Sequence, residues 1–182
     1  MSKSKANSHG SLVERAFGEK VCSRYGIDLW ISQGTNATKD IDLSRDRLCD
    51  RQNDVISKWE YCSENGIFLF NSGCSFEDIF LHFVTSDHNL FFPNGKWIIF
   101  EEKGQDIPGS VTDKFCTYAM RMKEGVYTLG GVKASALILY AEGDIDHGES
   151  FSQAQKTFNK YNSYLCYEDM DMVFDIIDRI SK

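Results

Sequence analysis

Residues 86–105 read SDHNLFFPNGKWIIFEEKGQ, and the rest of the chain is best interpreted outward from them. Two apolar runs, LFF and WIIF, flank the turn sequence Pro93-Asn94-Gly95, which predicts a β-hairpin. WIIF is continuous rather than alternating, as expected of a strand buried on both faces, and the charges of Glu101, Glu102 and Lys103 end it. Alternate residues of a strand share a face, so Glu101 and Lys103 should point together while Glu102 points away. Asp87 opens the first strand of the hairpin, and antiparallel pairing should bring it back beside the end of the second.

On the N-terminal side, helical spacing of apolar residues over 11–25, closed by Gly26, predicts a helix. IDLWI at 27–31 reads as a strand or a buried turn, and the polar stretch 32–40 as a loop. A long amphipathic helix is expected over 43–65 and a strand over 67–70. Residues 76–84 fit helix or strand; the capping-box form of Ser75-Phe-Glu-Asp78 favours a short helix. On the C-terminal side, a helix over 110–125 precedes the strongly apolar strand SALILYA at 135–141, with Gly130-Gly131 as a turn before it. Helix, strand and helix follow over 151–161, 163–167 and 168–180. This order makes the chain an α/β protein with a mixed β-sheet core flanked by helices.

Composition sets the outer limits. A chain of 182 residues, 42% hydrophobic and 13% aromatic, can bury one real core, so residues 11–182 are expected to form a single domain behind a flexible tail at 1–10. The tail lacks the apolar centre of a signal peptide, and no apolar run approaches the roughly 20 residues that span a bilayer. A soluble, cytoplasmic protein without membrane contact is expected. The six cysteines form no CxxC pair and read as free thiols. A net charge of −7 argues against a chain that coats nucleic acid non-specifically. It leaves room for a nuclease, because metal-gathering carboxylates contribute negative charge themselves.

Hydrolysis of a phosphodiester at neutral pH needs a strong nucleophile made from water and a cation to neutralise charge on the phosphate. Oxygen-ligated magnesium supplies both. Such a site needs carboxylates held on rigid strands and a cationic side chain nearby. Asp87, Glu101 and Lys103 meet that specification. An E-x-K string alone is a weak signal, common at solvated strand edges; its position at the end of a two-sided apolar strand is what singles it out. His82 and His88, near Cys74, have no recognisable nucleophile context and read as packing or surface residues. Lys133, Lys156 and Lys160 read as solvated.

Asp87, the turn PNGK, the strand WIIF, the run Glu101-Glu102-Lys103, the following helix and the strand SALILYA resemble the core of the PD-(D/E)XK nuclease superfamily, which includes many type II restriction endonucleases. The resemblance covers roughly residues 85–142, with the first helix as a looser match. It implies a restriction-endonuclease-like fold, Asp87 and Glu101 as ligands of Mg2+ (or Mn2+ in its place), and Lys103 as the residue that positions or activates water. Gln105, and Lys114 in a helix led by Gly109-Ser110, would support the phosphate or the metal shell. Ser86 stands where the family often has proline, and Asp78 is an alternative to Asp87 as the first acid. Glu14 falls where a first-helix glutamate often joins the metal, although a solvated helix charge is an equal reading. The substrate implied is double-stranded DNA, cut by a homodimer because each short chain has one site. Other readings are a structure-specific or repair nuclease, a cleavage subunit, a cap-snatching-type RNA endonuclease, or an inactive nuclease fold that only binds.

Overall fold

The WIIF run opens the strand β6, Trp97–Gln105, and its side chains alternate between two separate cores. The computed structural model describes residues 3–27, 29–31, 67–71, 75–77, 83–105, 114–145 and 147–182. Among these, β1 (Leu29–Ile31), β2 (Phe68–Asn71), β5 (His88–Phe91), β6, β9 (Ala136–Gly143) and β10 (Ser163–Tyr167) form one sheet in the order β1-β2-β5-β6-β9-β10. The pairs β2/β5 and β5/β6 are antiparallel; β1/β2, β6/β9 and β9/β10 are parallel. The sheet is therefore mixed, with its antiparallel hairpin at the centre.

Helices cover both faces. On one, Trp97 and Ile99 of β6 join Leu137, Leu139 and Ala141 of β9 against Phe115 and Ala119 of α2 (Phe115–Glu124) and Phe151, Ala154 and Phe158 of α3 (Glu149–Phe158). On the other, Ile98 and Phe100 join Ala136, Ile138 and Tyr140 against Val13, Phe17 and Val21 of α1 (Lys3–Tyr25) and Val173, Ile176 and Ile177 of α4 (Met170–Ser181). Each fully buried Val, Leu, Ile or Phe side chain among them stabilises the fold by about 1.5–3 kcal/mol, so the two cores hold β6 and β9 in one register. Parallel pairing of β6 with β9 requires a crossover, and α2 lies in it.

The hairpin turn forms as its sequence predicts. Phe92 N donates to Lys96 O at 3.0 Å, Gly95 N donates to Phe92 O at 3.1 Å, and Gly95 takes φ +79°, a conformation that suits glycine. The Gly130-Gly131 turn joins a small ribbon of β7 (Thr128–Leu129) and β8 (Val132–Lys133).

Two expectations change. The helix favoured for 76–84 is replaced at both described ends by β3 (Ser75–Glu77) paired antiparallel with β4 (Phe83–Thr85). Phe76, 1% exposed, packs between Trp97 and Tyr127 in the core, and that burial overrides the local capping signal. The helix expected from residue 11 begins at Lys3, inside the segment expected to be a flexible tail; residues 3–10 hold no proline to stop it. Of the helix expected over 110–125, α2 supplies Phe115–Glu124 with Lys114 as its N-cap residue, and residues 110–113 lie outside the described residues. The helix expected over 43–65 and the candidate Asp78 lie outside the described residues. Cys116 and Cys166 are free thiols, and among the described residues no helix is long and apolar enough to cross a membrane.

Candidate active site

The hairpin register builds the site. His88 pairs opposite Phe100, and one step beyond, Asp87 N donates to Phe100 O at 3.2 Å, so Asp87 arrives beside the charged end of β6. There its Oδ2 accepts from Glu102 N at 2.9 Å and from Lys103 Nζ at 2.7 Å. Lys103 Nζ also donates to Glu101 Oε2 at 3.2 Å and to Glu102 O at 3.0 Å. Asp87, Glu101 and Lys103 thus converge, as the alternation of β6 predicts. The Glu101 side chain is 4% exposed; Asp87 and Lys103 reach solvent at 20% and 24%.

Charge crowding marks the site. Burial pushes the Glu101 carboxyl well above the usual carboxylate range, and Asp87 adds to the effect while Lys103 opposes it. Burial also works against the charge on Lys103, but Asp87 and Glu101 outweigh it and keep the ammonium firmly protonated. Glu14 belongs to the same field. Burial, then the Asp87 and Glu102 carboxylates, push it up to about 7. It lies on α1 three residues before Phe17, whose ring packs against those of Phe100 and His88. That placement sets Glu14 within the electrostatic field of the cluster.

Glu102 points away from Glu101, as expected, but into a buried contact. Its Oε1 lies 3.1 Å from His88 Nδ1, and both side chains are fully buried on the α1 face. Burial disfavours protonation of His88, yet Glu102 reverses the balance and raises its pKa. Sequence reading left His88 as a packing or surface residue and did not pair it with Glu102. The strand pattern contained the signal: Phe100 and Glu102 share a face, and His88 stands opposite Phe100. Two more residues were missed on the α2 face. Lys103 Nζ lies 5.6 Å from the centre of the Tyr118 ring, and the Arg121 guanidinium lies 5.6 Å from the same ring.

Gln105 ends β6 opposite Gly143, and its side chain lies outside the description. Lys114 is exposed at the start of α2, and among the described contacts none joins it to Asp87, Glu101 or Lys103. Among the described residues, no group of three or more His, Cys, Asp or Glu side chains is already gathered in metal-binding geometry. The donor chemistry nonetheless fits a hard divalent cation. The groups are carboxylate oxygens, and one ammonium already bridges two of them.

Two measurements follow from this charge arrangement. Glu102→Ala leaves His88 buried without its carboxylate, so it should cost about 3–5 kcal/mol of unfolding free energy. A loss below about 0.5 kcal/mol in urea denaturation would show that the pair has no structural weight. Glu14 has a folded pKa raised above its unfolded value of 4.5, so the protonated acid is stabilised by folding and that contribution fades as pH rises through about 7. Glu14→Gln in EDTA should therefore raise the melting temperature relative to the parent more at pH 8 than at pH 5; a pH-independent difference would remove Glu14 from the field.

Compared with protein-family models, with curated proteins and with solved structures, the chain finds no match, so its functional reading rests on this geometry.

Proposed function

We propose that the chain is a magnesium-dependent endonuclease of the PD-(D/E)XK type that hydrolyses double-stranded DNA, most simply as a type II restriction-like enzyme. The observation that carries this reading is the convergence of Asp87, Glu101 and Lys103 at one end of the β5/β6 hairpin. The order α1, β2, β5, β6, α2, β9, antiparallel through the hairpin and parallel after the crossover, supports a restriction-endonuclease-like fold.

Asp87 and Glu101 would hold the cation, with Glu14 as a further oxygen donor from α1. Bound there, Mg2+, or Mn2+ in its place, supplies an activated water and offsets charge on the scissile phosphate. The chain's own part is positioning. The Glu102 amide and the hairpin ladder fix Asp87, the packing of β6 fixes Glu101, and Lys103 provides a point cation for the attacking water or the phosphate. Gln105 and Lys114 remain proposed phosphate-side supports, Lys114 by virtue of its exposure.

A double-strand break needs two such sites, so a homodimer is part of the proposal. Of the two segments considered for its interface, 43–65 lies outside the described residues. Within 151–182, Phe151, Ala154, Phe158, Val173, Ile176 and Ile177 turn inward, leaving Met172 as the exposed large apolar residue. An interface there would have to be largely polar.

Plasmid DNA incubated with the protein and Mg2+ should be cut, and EDTA should stop the reaction. Glu101→Gln and Asp87→Asn should retain the parent's circular dichroism spectrum and lose at least about a hundredfold in cleavage rate. Parental cleavage by either variant would remove that residue from the site, and a parent inert with both Mg2+ and Mn2+ would favour a fold that only binds. In sedimentation velocity at micromolar concentration the protein should run at about twice the chain mass of 20.8 kDa. A strict monomer, with or without DNA, would favour a nicking enzyme or a cleavage subunit.

A further inference from the structure

Lys103 has more to do than its proposed part in the reaction requires. An ammonium has three N–H donors, and here there are three acceptors: Asp87 Oδ2 at 2.7 Å, Glu101 Oε2 at 3.2 Å and Glu102 O at 3.0 Å. None is left for water or phosphate. The oxygens it holds are those a metal ion would need, and Glu101 is almost sealed from solvent, so its carboxylate offers little approach from another side. A dication brought against a fixed ammonium in so dry a place meets strong repulsion. Building on the metal-dependent reading above, we infer that Lys103 is a displaceable counter-ion: its ammonium fills the cation position between Asp87 and Glu101 in the metal-free protein, and a divalent metal must drive it out in order to bind.

Metal entry and release of the lysine are then one event. In the metal-free state the ammonium neutralises carboxylates that would otherwise repel each other across a buried strand end. In the metal-bound state the same ammonium, with its donors freed, is available to an anionic substrate. The four-carbon stem allows the movement, and the side chain is already 24% exposed. The Tyr118 ring, 5.6 Å from Nζ, offers a nearby face on which a displaced ammonium can rest while remaining at the site. The arrangement ties the phosphate-facing cation to the presence of metal, so that the site presents its lysine only when it is loaded.

The test compares the parent with Lys103→Met, which keeps the length of the stem and removes its charge. Mn2+ is the probe, with free ion counted by electron paramagnetic resonance. The variant should bind Mn2+ at least about tenfold more tightly than the parent, because no ammonium has to leave. Equal or weaker binding by the variant would overturn the displacement while leaving a metal site in place. Absence of Mn2+ binding by both proteins would overturn the metal reading, and the inference with it. A second readout uses the unmutated protein and so does not depend on how the variant folds. In protein carrying 15N-labelled lysine, the Lys103 ammonium should give a protected resonance that shifts and loses protection as Mg2+ is added. A signal unchanged at saturating Mg2+ would mean that lysine and metal occupy the site together, and the inference would fail.

Discussion

Two acids at the end of a buried strand are tolerated here because one ammonium holds both. Removing an ion from water costs several kcal/mol even after the protein relaxes. Glu101 is nearly sealed and Asp87 largely so, and the contacts of 2.7 and 3.2 Å to Lys103 Nζ offset much of that cost. The offset depends on register. A slip of one residue in the β5/β6 pairing would turn Glu101 and Lys103 to the α1 face and carry Asp87 away from both. The register is held by the tight turn at Asn94-Gly95 and by the division of β6 between two cores, Ile98 and Phe100 on one side and Trp97 and Ile99 on the other. The charges can gather because the apolar residues before them admit a single alignment.

This dependence explains which parts of the molecule are legible in the sequence. Uninterrupted apolar strands and a Pro-Asn-Gly turn are strong local signals, and β5, β6 and β9 lie where those signals put them. The convergence of Asp87, Glu101 and Lys103 needs only the hairpin and strand alternation, both local rules. What escapes is settled by contacts between distant segments. Ser75–Glu77 has a helix-start pattern, but Phe76 is claimed by Trp97 and Tyr127, and the segment becomes a strand. Tyr118 and Arg121 are ordinary helix residues until the crossover sets α2 over Lys103. The raised pKa of Glu14 is likewise invisible in SLVERAF, because it arises from burial in the folded chain and from carboxylates on other elements.

The end of β6 carries charge on both faces, and the two faces do different work. On the α2 side, the cluster of Glu101 and Lys103 remains in reach of solvent through the partly exposed side chains of Lys103 and Asp87. On the α1 side, His88 and Glu102 are fully buried, where a well-packed apolar pair of similar volume would serve stability at least as well. Two links join that pair to the site. Asp87 immediately precedes His88, and the backbone amide of Glu102 donates to Asp87 Oδ2. The His88–Glu102 contact ties β5 to β6 at the residues flanking the Asp87 carboxylate. Polar residues that cost stability yet fix the position of others are characteristic of sites where geometry matters more than folding free energy. The second glutamate of Glu101-Glu102-Lys103 is thus neither a spare charge nor a solvated bystander. It anchors the far side of the strand so that the near side can hold an acid and an ammonium at fixed separation.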